Sequence, residues 1–175
     1  MNRLKKKLGA APLVALVALV VTGGAAALAQ RQLAAGPAGR PEVKVQLNGS
    51  VEREGKSLSL DKVENVKPGE ILDWQIVSSN EGSAPARDYK AVGHVPAGTV
   101  LVAGSAAAEG GSTVTYSIDG GKTFSTQPII EERQEDGSVK KVSAPVSMYT
   151  EVRYEWSDAL AAGGKLSASY RVRVK

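Results

Sequence analysis

The chain reads as an all-β protein, an antiparallel β-sandwich of about seven to nine strands. Three observations predict it. Apolar and polar residues alternate with period two through some eight short runs, spaced about ten residues apart. Turn dipeptides such as Pro68-Gly69, Asp119-Gly120 and Gly163-Gly164 punctuate those runs. No stretch beyond residue 30 repeats its apolar positions at helical spacing.

Residues 1–29 lie apart from that pattern. Arg3, Lys5, Lys6 and Lys7 precede an almost wholly apolar run over 8–21, and Ala27-Leu28-Ala29 puts small residues where a signal peptidase reads them. A secretory signal cut before Gln30 is expected, and Gly23-Gly24 favours cleavage. Left uncut, residues 8–29 approach the length of a membrane span and would be an inner-membrane anchor. No cysteine follows, which excludes lipid anchoring there. Residues 30–41, rich in Ala, Gly and Pro, read as a flexible linker. The sandwich domain is expected over 42–175.

Val43, Val45 and Leu47 alternate with Lys44, Gln46 and Asn48, giving a first strand. Asn48-Gly49 is a turn signal or a bulge before Val51, and Glu54-Gly55-Lys56 turns the chain. Leu58, Leu60 and Val63 make a short second strand. The rest of the chain is organised around 66–82. There Leu72, Trp74 and Ile76 share one face, Asp73, Gln75 and Ser79 the other, and Asn80-Glu81-Gly82 turns. Residues 88–95 form a fourth strand with Tyr89, Ala91 and Val95 on one side. Proline and glycine turn the chain over 95–99, and 100–102 is short and apolar.

Val114, Tyr116 and Ile118 form one arm of a hairpin and 122–124 the other, across Asp119-Gly120-Gly121. Residues 125–148 are a polar excursion. Glu131, Glu132, Glu135 and Asp136 face Lys140 and Lys141 across Asp136-Gly137-Ser138, as a protruding hairpin of opposite charges or as an irregular charged loop. Val152, Tyr154 and Trp156 alternate with Glu151, Arg153 and Glu155, and 157–162 allow a short helical turn. Leu166, Ala168, Tyr170, Val172 and Val174 make the clearest alternation. This strand is expected at a sheet edge, guarded by Arg171, Arg173 and Lys175. Its basic row is expected to pair with Glu151 and Glu155 on one exposed face. Trp74 and Trp156 are expected between the sheets.

Charge narrows the function. The chain has 22 basic and 18 acidic residues, but four of the basic ones and no acid lie in 1–29, so the remainder carries 18 of each. A basic footprint for nucleic acid is absent. With no cysteine, thiol catalysis, zinc–thiolate sites and iron–sulfur sites are excluded.

Several blocks, in order, carry a resemblance. They are Val66-Lys67-Pro68-Gly69-Glu70, Asp73-Trp74-Gln75-Ile76, Asn80-Glu81-Gly82, Val95-Pro96-Ala97-Gly98-Thr99 with Gly104-Ser105, Tyr116-Ser117 with Asp119-Gly120-Gly121, Tyr149 to Tyr154, and Tyr170 to Val174. Together they resemble the conserved repeat domain of unknown function found in bacterial and archaeal surface proteins. The resemblance spans about residues 63–174. It implies an immunoglobulin-like sandwich in an envelope or surface protein, and it brings no catalytic residues. That family usually occurs in tandem, whereas this sequence holds one copy.

Candidate chemistry is thin. Residues 117–124 match the Asp-box hairpin of sialidase-type propellers, a structural turn, in a single copy where a propeller needs several. His94 is the lone histidine, too few for a multi-histidine metal site, and Gly-x-Ser-x-Gly is absent. Glu131, Glu132, Glu135 and Asp136, or Glu151 and Glu155, would supply a carboxylate pair for glycoside hydrolysis, but both sets read as solvated. Calcium at Asp119 or Asp158 is left open; neither has an EF-hand's acidic ladder. Of eight aromatics, Tyr149 is best placed for a surface role.

The expectation is an exported, non-enzymatic sandwich without cofactor, a structural or protein-interaction subunit of the cell envelope. Its partner would be an envelope or surface protein, met through sheet edges or the 125–148 excursion. The candidate surface is Tyr149, Glu151, Arg153, Arg171 and Arg173. No nucleic acid is expected, and membrane contact only through an uncut signal segment. The alternative is a carbohydrate- or ligand-binding module of the same fold, and the third reading is an envelope hydrolase.

Overall fold

The computed structural model describes residues 39–175, so the expected signal segment and most of the expected linker lie outside the described residues. Eleven strands and two three-residue 3-10 turns, without an α-helix, make up one unit, Gly39–Lys175. The larger sheet runs β2 (Lys56–Ser59), β1 (Val43–Arg53), β3 (Ile71–Asn80), β11 (Lys165–Val174), β5 (Thr99–Leu101), with the two-residue β6 (Ala107–Ala108) also on β11. The smaller sheet is β4 (Lys90–His94), β10 (Glu151–Trp156), β7 (Ser112–Ser117). A separate hairpin pairs β8 (Ile129–Arg133) with β9 (Val139–Ser143). Every pairing is antiparallel. The fold is all-β and sandwich-like, as the period-two pattern requires.

The core is the meeting of two alternating rows. Leu72, Ile76, Tyr170 and Val172 face in from the larger sheet, and Ala91, Val152, Tyr154 and Trp156 from the smaller. Each large apolar side chain so buried contributes about 1.5–3 kcal/mol. Two tyrosines then cross the gap in opposite senses. The Tyr154 hydroxyl of β10 donates to the Ser169 carbonyl of β11 at 2.7 Å, and the Tyr170 hydroxyl of β11 donates to the His94 carbonyl of β4 at 2.6 Å. Tyr89 adds a third crossing bond, to Ser78 Oγ at 2.8 Å. The layer spacing is thus held by directed bonds as well as by packing.

Glycines make room for these rings. A Cβ on Gly93 would lie 2.3 Å from Tyr170 Cε1, and one on Gly49 would lie 2.6 Å from Leu60 Cδ1 and 2.8 Å from Trp74 Cζ3. Gly49 is therefore a packing glycine inside β1. It is neither turn nor bulge: the β1–β3 register runs unbroken from Val43↔Asn80 to Val51↔Leu72. The real turn is Glu54-Gly55, both at positive φ (52° and 71°), between the Arg53↔Lys56 pair.

Asn80 closes the end of β3. Its side chain, buried to 1%, accepts from the amides of Glu42 (3.0 Å) and Gly82 (3.1 Å) and donates to the carbonyls of Ala84 (2.8 Å) and Leu160 (3.0 Å). All its hydrogen-bonding capacity is spent on four backbone groups in three segments. Arg40 and Glu42 also bond the backbone of Ser83 and Glu81, so the linker's last residues are already fixed to the domain.

Other expectations need correction. Leu60–Lys62 is a 3-10 turn, which cuts the second strand at Ser59. Residues 122–124 do not form a strand; only a bridge, Tyr116↔Ser125, continues the β7 hairpin. Residues 157–162 carry no helical turn, and Leu160 instead bridges Ala86. The strand β11 is not an edge but lies inside the sheet, paired with β3 on one side and with β5 and β6 on the other. Trp156 is buried, whereas Trp74 is half-buried at the margin of the core.

Candidate interaction surface

The outer row of β10 carries Glu151, Arg153 and Glu155, because Val152, Tyr154 and Trp156 take the inner row. Each outward charge already has a partner on its own sheet. Lys90 Nζ lies 2.9 Å from Glu155, whose other carboxylate oxygen meets Arg153 Nη2. Lys90 first, and then Arg153, hold the Glu155 carboxyl below the usual range. The Arg153 guanidinium lies 4.0 Å over the Phe124 ring. Glu151 meets His94 Nδ1 at 3.3 Å on an exposed face, with the imidazole two-thirds exposed. This contact is not in a cleft.

The five residues expected to form one surface do not come together. Arg171 and Arg173 project from the outer row of β11, in the other sheet, where Arg171 Nε stands 4.0 Å from Asp73. They cannot pair with Glu151 and Glu155, because the buried rows of both strands lie between them. Tyr149 leans on Tyr116, ring centroids 4.9 Å apart, and packs against the core margin. It is a half-buried support rather than a free aromatic.

The Asp119 loop is structural. Asp119 accepts from Ser117 Oγ (2.7 Å), the amides of Lys122 (3.1 Å) and Thr123 (2.9 Å), and Thr123 Oγ1 (2.7 Å). These bonds, that from the Thr123 hydroxyl foremost, hold its carboxyl far below the ordinary range. Both carboxylate oxygens are occupied by the turn itself. Among the described residues no three His, Asp or Glu side chains converge as a metal site would require.

The excursion is a hairpin, in the register that the charges suggested: Glu131↔Lys141 and Glu132↔Lys140. Its turn is tied by Asp136, which accepts from the Ser138 amide at 2.9 Å and from the Ser138 hydroxyl at 2.6 Å. Neither β8 nor β9 pairs with the other sheets. Nearly every residue on it is exposed, including Ile129 at 59% and Val139 at 56%. Sequence reasoning found the charges of this arm but missed its apolar residues, Ile129, Ile130, Val139 and Val142, which are few and show no period.

Among the described residues no helix is long and apolar enough to cross a membrane. No protein-family model, curated protein or solved structure matches the chain.

Proposed function

We propose that this chain is an exported, non-enzymatic sandwich that serves as a structural or protein-interaction subunit of the cell envelope, and that the β8–β9 arm engages an envelope or surface protein. The signal-like N-terminus and the resemblance to surface-protein repeats support the location, and the resemblance supports an immunoglobulin-like arrangement of the sheets. The observation that carries the role is the arm. A two-stranded hairpin alone is marginally stable in water. This one stands clear of both sheets with apolar side chains in solvent and a ladder of opposite charges. Covering it with a partner would bury Ile129 and Val139 and extend its free edges.

The test is capture from envelope fractions by the wild type and by the quadruple variant Glu131→Lys, Glu132→Lys, Lys140→Glu, Lys141→Glu. The swap preserves pairing within the hairpin and inverts its outward field. The partner should be retained by the wild type and lost by the variant. Equal capture by both would remove the arm from the interface.

The ligand-binding reading has one observation in its favour. Asn48, Ser50, Ser57, Ser59, Asp73 and Gln75 line a shallow concavity of about 530 Å³ on the larger sheet. Glycan-array binding abolished by Asp73→Ala would favour it over the arm.

A further inference from the structure

Natural sheets defend their edges with short strands, charges, proline, bulges or a cover. One edge here has almost none of these. β2 pairs β1 only over Ser50–Arg53, so Val43 to Gly49 have no strand on that side among the described residues. This half of β1 is unbulged and contains no proline. Its one charged side chain, Lys44, is engaged by Glu81 of its own domain. Of the other edges of the two sheets, β4, β5 and β7 are shorter, and β4 carries Lys90 and His94.

Alternation decides which backbone groups are free. Arg53 and Val51 bond β2, so Gly49, Leu47, Val45 and Val43 aim the same way. The Glu42 carbonyl accepts from the Glu81 amide at 2.7 Å, which places the even-numbered residues toward β3. The side chains of this half-strand lie in the row that faces the core elsewhere. Their β3 partners Ile76 and Ser78 are buried, yet Leu47 is 55% exposed and Val45 57% exposed, because the smaller sheet does not reach over β1. Unpaired amides and uncovered apolar side chains therefore coincide on residues 43–47.

We infer that β1 pairs antiparallel with β1 of a second copy of this chain, about a two-fold axis at Val45. That register bonds Val43 to Leu47 of the second copy and Val45 to its own equivalent. It places apolar side chains against apolar ones and Lys44 opposite Gln46, so no like charges meet. Pro41, without an amide hydrogen, ends the ladder on one side, and the Leu60 turn closes over Gly49 on the other. Self-complementarity of this kind is what an isologous dimer requires. Five paired residues bury less than a standard interface, so the dimer is weak, dissociating at about 10–100 µM. This surface is distinct from the arm, and the dimer forms whether or not the arm binds a partner.

Sedimentation velocity of the full-length chain across that concentration range tests the inference. The wild type should pass from monomer to dimer. Val45→Lys and Val45→Glu, each at an exposed position, should weaken dimerisation at least about tenfold by placing like charges on the axis, and an equimolar mixture of the two should restore it. Since the chain has no cysteine, Val45→Cys should oxidise to a covalent dimer. A chain that stays monomeric throughout would overturn the inference, as would a dimer indifferent to both charge variants. So would amides of 43–47 that are protected in the monomer, since residues 1–38 would then cover the edge. A Val45→Cys cross-link in cells that goes mainly to a different protein would also overturn it.

Discussion

At Asn80 two donors and two acceptors of one amide meet four backbone groups on three segments, at residue 42, at 82–84 and at 160. Asn80→Ala leaves the Ala84 carbonyl and the amides of Glu42 and Gly82 without their partner, while the Leu160 carbonyl keeps the Ala86 amide, and should cost about 3 kcal/mol in urea unfolding. The crossing tyrosines make a second residue-scale statement. Burial, with Glu151 adding to it, pushes the Tyr170 hydroxyl up to about 12, and burial pushes Tyr154 higher still. Because the folded value exceeds the unfolded value near 10, the neutral phenol stabilises the fold fully below pH 10. That contribution is lost as pH rises through 12. Tyr170→Phe should cost about 1 kcal/mol at pH 7 and flatten the alkaline limb of a stability–pH curve. An unchanged alkaline limb would mean that the ring is not held as described. Neither residue's role was visible in the chain. Tyr170 showed as an inward position, but the atom that its hydroxyl meets lies on another sheet. Asn80 sat in a turn-like triplet whose partners are as many as 80 residues away.

At the scale of elements, legibility followed period. Strands β3, β10 and β11 were plain because each alternates apolar and polar residues over at least three successive inward positions. The β8–β9 hairpin was marked by opposed charges about a turn dipeptide. Errors arose where a residue served packing rather than conformation. Asn48-Gly49 has the composition of a turn, yet Gly49 is glycine because Trp74 and Leu60 fill the space a Cβ would need. The edge assignment of β11 failed because lysine and arginine on an outer row look alike on central and edge strands. The arm permits a direct check of its isolation. Within residues 42–175, trypsin should cut first at Arg133, Lys140 or Lys141 while the two sheets remain intact, as native mass spectrometry followed by denaturing gel would show. Early cleavage elsewhere within 42–175 would mean that the hairpin is held against the body.

At the scale of the whole molecule the two sheets are unequal, and the imbalance explains both proposals. The smaller sheet roofs β3 and β11 but leaves half of β1 bare, and the residues inserted between β7 and β10 leave the sandwich as an arm. The expected site was one cluster drawn from both β10 and β11. The fold turns those strands back to back, a relation that alternation within each strand cannot express.

The placement of β11 also governs when the molecule can form. Its partners β3 and β5 lie about 70 to 100 residues earlier, at Trp74 opposite Tyr170 and at Thr99 to Leu101, with Thr99 opposite Val174. A ribosome delivers β3 long before the strand that completes its hydrogen bonds. Until then the growing polypeptide holds only half a sheet, with Leu72 and Ile76 uncovered. A chain still lacking β11 cannot complete the larger sheet, and a threading machine that needs an unfolded substrate would receive one.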